Sequence, residues 1–184
     1  MLNAGTTITS PTSGEEITFT TLGGDSGGEL LAFRLRMRPG GRVSTPHQHP
    51  RREERVCVTA GAALVELGAE RHVVRPGQTL VIPRGTPHRI AHLADVAEAL
   101  EALVEFRPAG QVAEFLDDVF ALDRAGRTRP DGQLTLLQAA VTVHGRFDDM
   151  ALPAPPLPAQ KALLNTLAPI ARALGYRDRY TVTG

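Results

Sequence analysis

Two blocks rich in glycine and histidine, Gly41 to Gly61 and Gly77 to His92, constrain this chain more than any other feature. The first has the spacing Gly41-x5-His47-x-His49-x4-Glu54-x6-Gly61, and the second Gly77-x5-Pro83-x-Gly85-x2-His88. Half of the six histidines, His47, His49 and His88, fall at these fixed places. Residues two apart in an extended segment project from the same face, so His47 and His49 point together. Glu54 follows on the same stretch, and the bend Pro83-Arg84-Gly85-Thr86-Pro87 delivers His88. Three imidazoles and one carboxylate so placed can converge on one divalent ion. Neutral imidazole suits zinc, copper, iron and nickel, and a carboxylate adds charge that suits harder ions. No thiolate belongs to the set, which excludes a zinc-finger type of site.

The two blocks resemble the two motifs of the cupin superfamily, over residues 28–107 in all. The resemblance implies a mainly β fold, a double-stranded β-helix (jelly-roll, or cupin) barrel. Carried over residue by residue, it makes His47, His49, Glu54 and His88 the ligands of one divalent transition metal ion (Fe, Mn, Zn, Ni or Cu). The count back from Gly61 selects Glu54 over its neighbour Glu53. One position departs from the pattern. The second motif usually closes with Asn four residues after its His, and this chain has His92 there. If the strand is unbroken, His88, Ile90 and His92 share a face, which makes His92 the candidate catalytic proton-transfer residue. A turn cap where Asn often sits is the alternative.

Strand parity counted from Glu54 puts Val56 and Val58 on the ligand face and Cys57 opposite. With Ile82 and Ile90 they are the aliphatic residues expected to wall the substrate pocket. The superfamily includes dioxygenases, isomerases, decarboxylases and hydrolytic enzymes. A metal-dependent enzyme acting on a small organic molecule is therefore expected, most simply an oxygenase. A non-catalytic small-molecule-binding barrel is the alternative.

The chain divides into a barrel, residues 1–107, and a helical extension, residues 108–184, packed on the barrel or on a partner subunit. In the barrel, the Thr- and Ser-rich segment 5–21 reads as one or two edge strands. Gly23 to Gly28 reads as a flexible turn, and Leu31, Phe33, Leu35 and Met37 alternate along a half-buried strand. Ala63–Leu67 and Arg71–Val74 pair as a hairpin carrying a structural His72, and Thr79–Ile82 reads as a short buried strand. ADVAEALEALVEF (94–106) has helix formers, yet the barrel needs a returning strand, expected over 97–107. About three C-terminal helices follow. Val112, Phe115, Leu116, Val119 and Phe120 form one apolar stripe. A second helix fits 133–146 with Leu136, Leu137, Ala140 and Val141 inward and His144 packed. After a proline-rich connector, 152–158, a third fits 159–174 with Leu163, Leu167, Ile170 and Leu174 on its inner face. Pro169 is expected to kink or break that helix, and residues 176–184 read as a polar tail.

Twenty basic and twenty acidic residues leave no net charge, which gives no electrostatic case for nucleic acid or an anionic membrane. The extension itself carries eight acidic and eight basic residues, so a helix-turn-helix reading finds no basic surface. The single cysteine, Cys57, fits a reducing cytoplasm. The opening MLNAGTTITSPTSGEE lacks the basic start and apolar run of a signal peptide, and no apolar run is long enough to cross a bilayer. The expected partners are a small molecule and a second copy of the chain in a homodimer.

Overall fold

The structure, a computed structural model, describes residues 1–178. The polar tail expected beyond Tyr176 lies mostly outside those residues.

Nine strands form two sheets: β1 Thr7–Ser10, β2 Glu15–Thr21, β3 Leu31–Met37, β4 Glu53–Ala60, β5 Ala63–Leu67, β6 Glu70–Val74, β7 Thr79–Ile82, β8 His88–His92 and β9 Leu100–Arg107. The larger sheet runs β1-β2-β3-β9-β4-β7 and the smaller β6-β5-β8. Every pairing within them is antiparallel. The segment before β4 adds to the smaller sheet's β8 edge. Val43 N–H donates to Ile90 O at 2.9 Å, and His47 exchanges backbone bonds with His88 at 3.0 and 2.8 Å. This is the jelly-roll barrel.

Alternation is the cause of the core. Ile17 and Phe19 of β2, Phe33, Leu35 and Met37 of β3, Val56 and Val58 of β4, and Leu100, Ala102, Val104 and Phe106 of β9 all point into one cluster. In the stretch whose composition favours a helix, the strand wins from Leu100. There β9 bonds on both edges, to β3 and β4, and every second residue is buried. A local helix would leave both neighbours' backbone groups unpaired. Gly41 is required by crowding, since a Cβ there would meet the Arg38 and Ser13 carbonyl oxygens at 2.8 Å.

Here one expectation is refined and one corrected. The turn expected at Gly23–Gly28 includes a 3-10 element over Gly23–Ser26, where the Asp25 carboxylate accepts the Leu22 N–H at 2.9 Å. The strand β7 is a sheet edge, and only Ile82 of it is buried.

Three helices follow: α1 Val112–Arg124, α2 Leu136–Thr142 and α3 Leu157–Ala173. The α1 stripe packs inward as expected, and Val112, Ala113 and Phe120 belong to the barrel's own core. Its C-terminal end is tied down by Asp123. That carboxylate accepts hydrogen bonds from Ser10 Oγ (2.7 Å), Thr12 N (3.0 Å), Thr12 Oγ1 (2.7 Å) and Thr128 Oγ1 (2.8 Å). The helix α2 is shorter than expected, starting at the N-cap Thr135. Leu136 is 55% exposed, and His144 lies on the surface instead of packing.

The largest correction concerns α3. Its buried residues are Gln160, Leu164, Ala168 and Ala171, while Leu163, Ile170 and Leu174 are exposed. Gln160 explains the rotation. Its side chain accepts the Leu152 N–H at 3.0 Å and donates to the carbonyls of Leu152 (2.9 Å) and Pro155. Those bonds turn Gln160 toward the proline-rich connector, and the small Ala168 and Ala171 follow it inward. Pro169 does not end the helix, which continues to Ala173. No helix of the described residues is long and apolar enough to cross a membrane.

Candidate metal centre and its cavity

His47 and His88 face each other across their backbone bridge, with ring centroids 4.4 Å apart. His49 stands two residues on, its ring 4.9 Å from that of His47 and 5.2 Å from that of His88. Glu54 enters from β4, where it pairs with Ile82 on one side and Phe106 on the other. One ligand atom from each of the four lies within 4.8 Å of all the others, and all four residues are buried. The ligand set implied by the sequence resemblance thus comes together.

The backbone fixes which nitrogen each ring presents. His47 Nδ1–H donates to Thr45 O at 2.9 Å, His88 Nδ1–H to Thr86 O at 2.9 Å, and His49 Nδ1–H to Asp149 O. All three Nε2 lone pairs are therefore free to turn inward, the arrangement that orients metal-binding histidines. His88 Nε2 lies 2.8 Å, and His49 Nε2 3.4 Å, from Glu54 Oε2. These three atoms are buried and make no hydrogen bond of ordinary geometry. Lone pairs packed this closely repel unless a positive charge sits among them. A divalent cation fits that requirement, and so does the donor chemistry.

The electrostatics agree. Burial would raise Glu54, but the charges of His88 and His49, only 2.8 and 3.4 Å away, hold it well below the usual carboxylate range. Burial pushes the other way on His47, lowering it to about 3 with help from His88 and His49, so that ring is neutral at ordinary pH. Burial also acts to lower His88, but Glu54 outweighs it and the net shift is upward. The carboxylate is thus ionised, as a metal ligand must be.

Three of the four, His47, His49 and Glu54, form part of the wall of a cavity of about 270 Å³. Its apolar wall includes Phe33, Leu35, Ile90, Val104 and Phe106 from the barrel, with Phe115 and Phe120 from α1. Of the four aliphatic residues expected there, only Ile90 is in the lining. Val56, Val58 and Ile82 are packed in the core and are not among the lining residues. His92 shares the buried face of β8 with His88 and Ile90. It is nonetheless not part of the lining: its Nε2–H donates to Glu98 O at 2.9 Å, and Nδ1 accepts the Gly40 N–H at 3.4 Å. With both nitrogens occupied, His92 caps a turn, and the geometry corrects its assignment as a proton-transfer residue. His72 pairs with Glu70 on the outer hairpin at 3.0 Å, away from the site. Cys57 is a free thiol on the face opposite Glu54. Glu53, the rejected alternative ligand, is half-buried and lies 3.8 Å from Arg55.

Four residues that matter here were not singled out from the sequence. Asp149 lies between α2 and α3. Its carbonyl orients His49, while its carboxylate pairs with buried Arg52 and accepts the Gln111 N–H at 2.9 Å. The extension therefore supplies part of the shell behind the ligands. No local pattern marks Asp149, since His49 and Arg52 are about a hundred residues away in sequence and Gln111 is 38 away. The other three, Ser13, Glu15 and Asp123, also line the cavity. Glu15 was legible: it has the same strand parity as Ile17 and Phe19.

A family model described as Cupin domain matches residues 33–103. The matched residues make up most of the barrel, which is a cupin domain. The chain is similar to Protein SchB of Streptomyces halstedii, 44% identical over 84 residues, which cover 46% of this chain and 58% of that protein. It is also similar to Polyketide synthase CurC of Streptomyces cyaneus, 40% identical over 79 residues, 43% of this chain and 49% of that one. The chain thus spans about half the length of the curated relatives it matches. Among solved structures, KdgF from Halomonas sp. is 25% identical with a TM-score of 0.48, covering 58% of this chain and 90% of that chain.

Proposed function

We propose that this protein is a metal-dependent enzyme acting on a small, largely apolar organic molecule that carries oxygen, with oxygenase chemistry the simplest form. The observation that carries the reading is the set of buried, unpartnered His49 Nε2, His88 Nε2 and Glu54 Oε2 atoms beside an aromatic-walled cavity. His47, His49, Glu54 and His88 would hold the ion. A bound Fe, Mn, Zn, Ni or Cu ion supplies Lewis acidity, and iron or copper can also activate oxygen. The chain's own residues do the rest. Thr45, Thr86 and Asp149 fix the imidazole tautomers, and the phenylalanines exclude water, so a polar group of the substrate meets the ligand cluster in a low-dielectric space. The name of the Streptomyces cyaneus relative, a polyketide synthase, supports an oxygen-bearing carbon chain or ring as the substrate class. A cytoplasmic homodimer completes the proposal. The exposed Leu163, Ile170 and Leu174 of α3 are an apolar surface of the kind that self-association covers.

The test begins with elemental analysis of protein purified without chelators, with one transition ion per chain expected. Oxygen uptake and product analysis with hydroxylated aromatic substrates follow, each with and without the ion. Stoichiometric metal with tight binding but no turnover would select the non-catalytic binding barrel instead. Absence of metal after reconstitution would defeat the metal-dependent enzyme. Sedimentation equilibrium decides the dimer.

A further inference from the structure

The cavity has a second set of polar groups. Besides the histidines and Glu54, its wall includes Ser10, Ser13 and Glu15 from the β1–β2 hairpin and Asp123 from α1. Two of these are already satisfied, because Ser10 Oγ donates to Asp123, which accepts three further hydrogen bonds. Ser13 is not, and Glu15 has no cation acting on it. Ser13 is 3% exposed, and its hydroxyl makes no hydrogen bond of ordinary geometry. Glu15 is 9% exposed. Burial, reinforced by the charges of Glu54 and Asp123, raises its carboxyl to about 7, and only the neighbouring Ser13 hydroxyl pulls the other way. A buried hydroxyl left without a partner costs about 1–3 kcal/mol. A wall that keeps one beside an uncompensated carboxyl is arranged for a group the protein does not itself provide.

We propose that Ser13 and Glu15 form a second polar subsite, which holds a neutral hydroxyl or carbonyl oxygen of the ligand while another of its oxygens lies at the histidine cluster. The inference rests on the reading that the cavity takes an apolar, oxygenated organic molecule. The donor inventory suits a neutral oxygen. A protonated Glu15 donates one O–H and accepts at its other oxygen, and the Ser13 hydroxyl does both. A carboxylate ligand would meet Glu15, Glu54 and Asp123, three acidic groups lining one small space. Phe33, Leu35, Val104 and Phe106 contribute the apolar wall of the same cavity. The ligand class is therefore an apolar body with two oxygens, and Ser13 and Glu15 select for the second oxygen.

The test uses the full chain loaded with zinc, at about pH 6, where an unperturbed carboxyl is ionised and a raised one is neutral. The probes are a naphthol and a naphthalenediol with hydroxyls on opposite rings, titrated by their fluorescence. The diol is expected to bind the wild type about tenfold more tightly than the naphthol, the scale of one well-made buried hydrogen bond. Ser13→Ala and Glu15→Met should each bring the diol close to the naphthol's affinity. Zinc content confirms that the ligand cluster is intact in both, and Ser13→Ala carries the test if Glu15→Met does not fold. If the wild type binds both probes equally, or Ser13→Ala keeps the preference, Ser13 and Glu15 hold water only and the subsite is overturned. If neither probe binds the zinc-loaded wild type, the reading of the cavity itself fails, and the subsite with it.

Discussion

On β4, Glu54, Val56 and Val58 are buried and the residues between them are not, as strand parity requires. On α3 the apolar residues Leu163, Ile170 and Leu174 face out, while Gln160 and two alanines face in. The difference is one of degrees of freedom. A strand has two faces, and hydrogen bonds to both neighbours lock which one is inside. A helix satisfies its own backbone and can take any rotation about its axis. Three side-chain bonds from Gln160 to the connector were enough to choose one.

The largest expected effect comes from separating the two regions. Deleting residues 108–184 removes α1 from the shared core and uncovers the apolar cavity, so an insoluble or aggregating product is expected. A soluble 1–107 fragment that retains metal would break the comparison, because the barrel would then need nothing from the helices.

Within the barrel, parity makes a sharp distinction between neighbours. Glu54→Ala should abolish metal occupancy, and Glu53→Ala should leave it nearly intact, as read by plasma emission on matched preparations. Equal losses would mean that the ladder register does not decide the ligand.

The joint between the regions is the buried Arg52–Asp149 pair. Asp149→Ala leaves Arg52 buried without its carboxylate, and a loss of about 3–5 kcal/mol is expected in denaturant unfolding. Zinc affinity should also fall, by about tenfold or more, because the backbone that orients His49 moves with Asp149. Wild-type affinity in that variant would detach the extension from the metal centre.

Glu15 sharpens the comparison by pH. Its carboxyl is raised from 4.5 to about 7, so the folded chain holds a proton that the unfolded chain has already released. Its favourable contribution is complete below pH 4.5 and lost as pH rises through about 7. The whole difference is on the order of 3 kcal/mol. Between those limits, wild-type stability should fall relative to that of Glu15→Gln, measured by unfolding at several pH values. Parallel curves would show that Glu15 is not a buried neutral acid.

The smallest effect is expected at Leu163. Truncating this exposed residue to Ala should change stability by about 0.5 kcal/mol or less, whereas Leu164→Ala, on the buried face, should cost about 2–5 kcal/mol. The reverse order would restore the helix rotation expected from the sequence.

Much of the centre was legible because its code is local. The His47–His49 spacing, Glu54 counted from Gly61 and the bend before His88 mark the four residues that come together, and an alternating strand carries Glu54 to the right face. Val56 and Val58 were placed inside correctly, but inside proved to mean core and not cavity wall. Parity tells which face a side chain takes and not how far along the barrel the packed layer ends. His92 shows the same limit: its face was right, while Gly40 and Glu98 decided that its nitrogens would be used by the backbone.

The sequence alone determined the cupin barrel, the four-residue cluster and the inward stripe of α1, since each depends on spacing within a short segment. Only the tertiary structure decided the rotation of α3, the tie from Asp149 to His49 and the cavity wall at Ser13 and Glu15. Those depend on polar groups brought together from distant parts of the chain, and a buried donor or acceptor takes whichever partner the fold brings within reach.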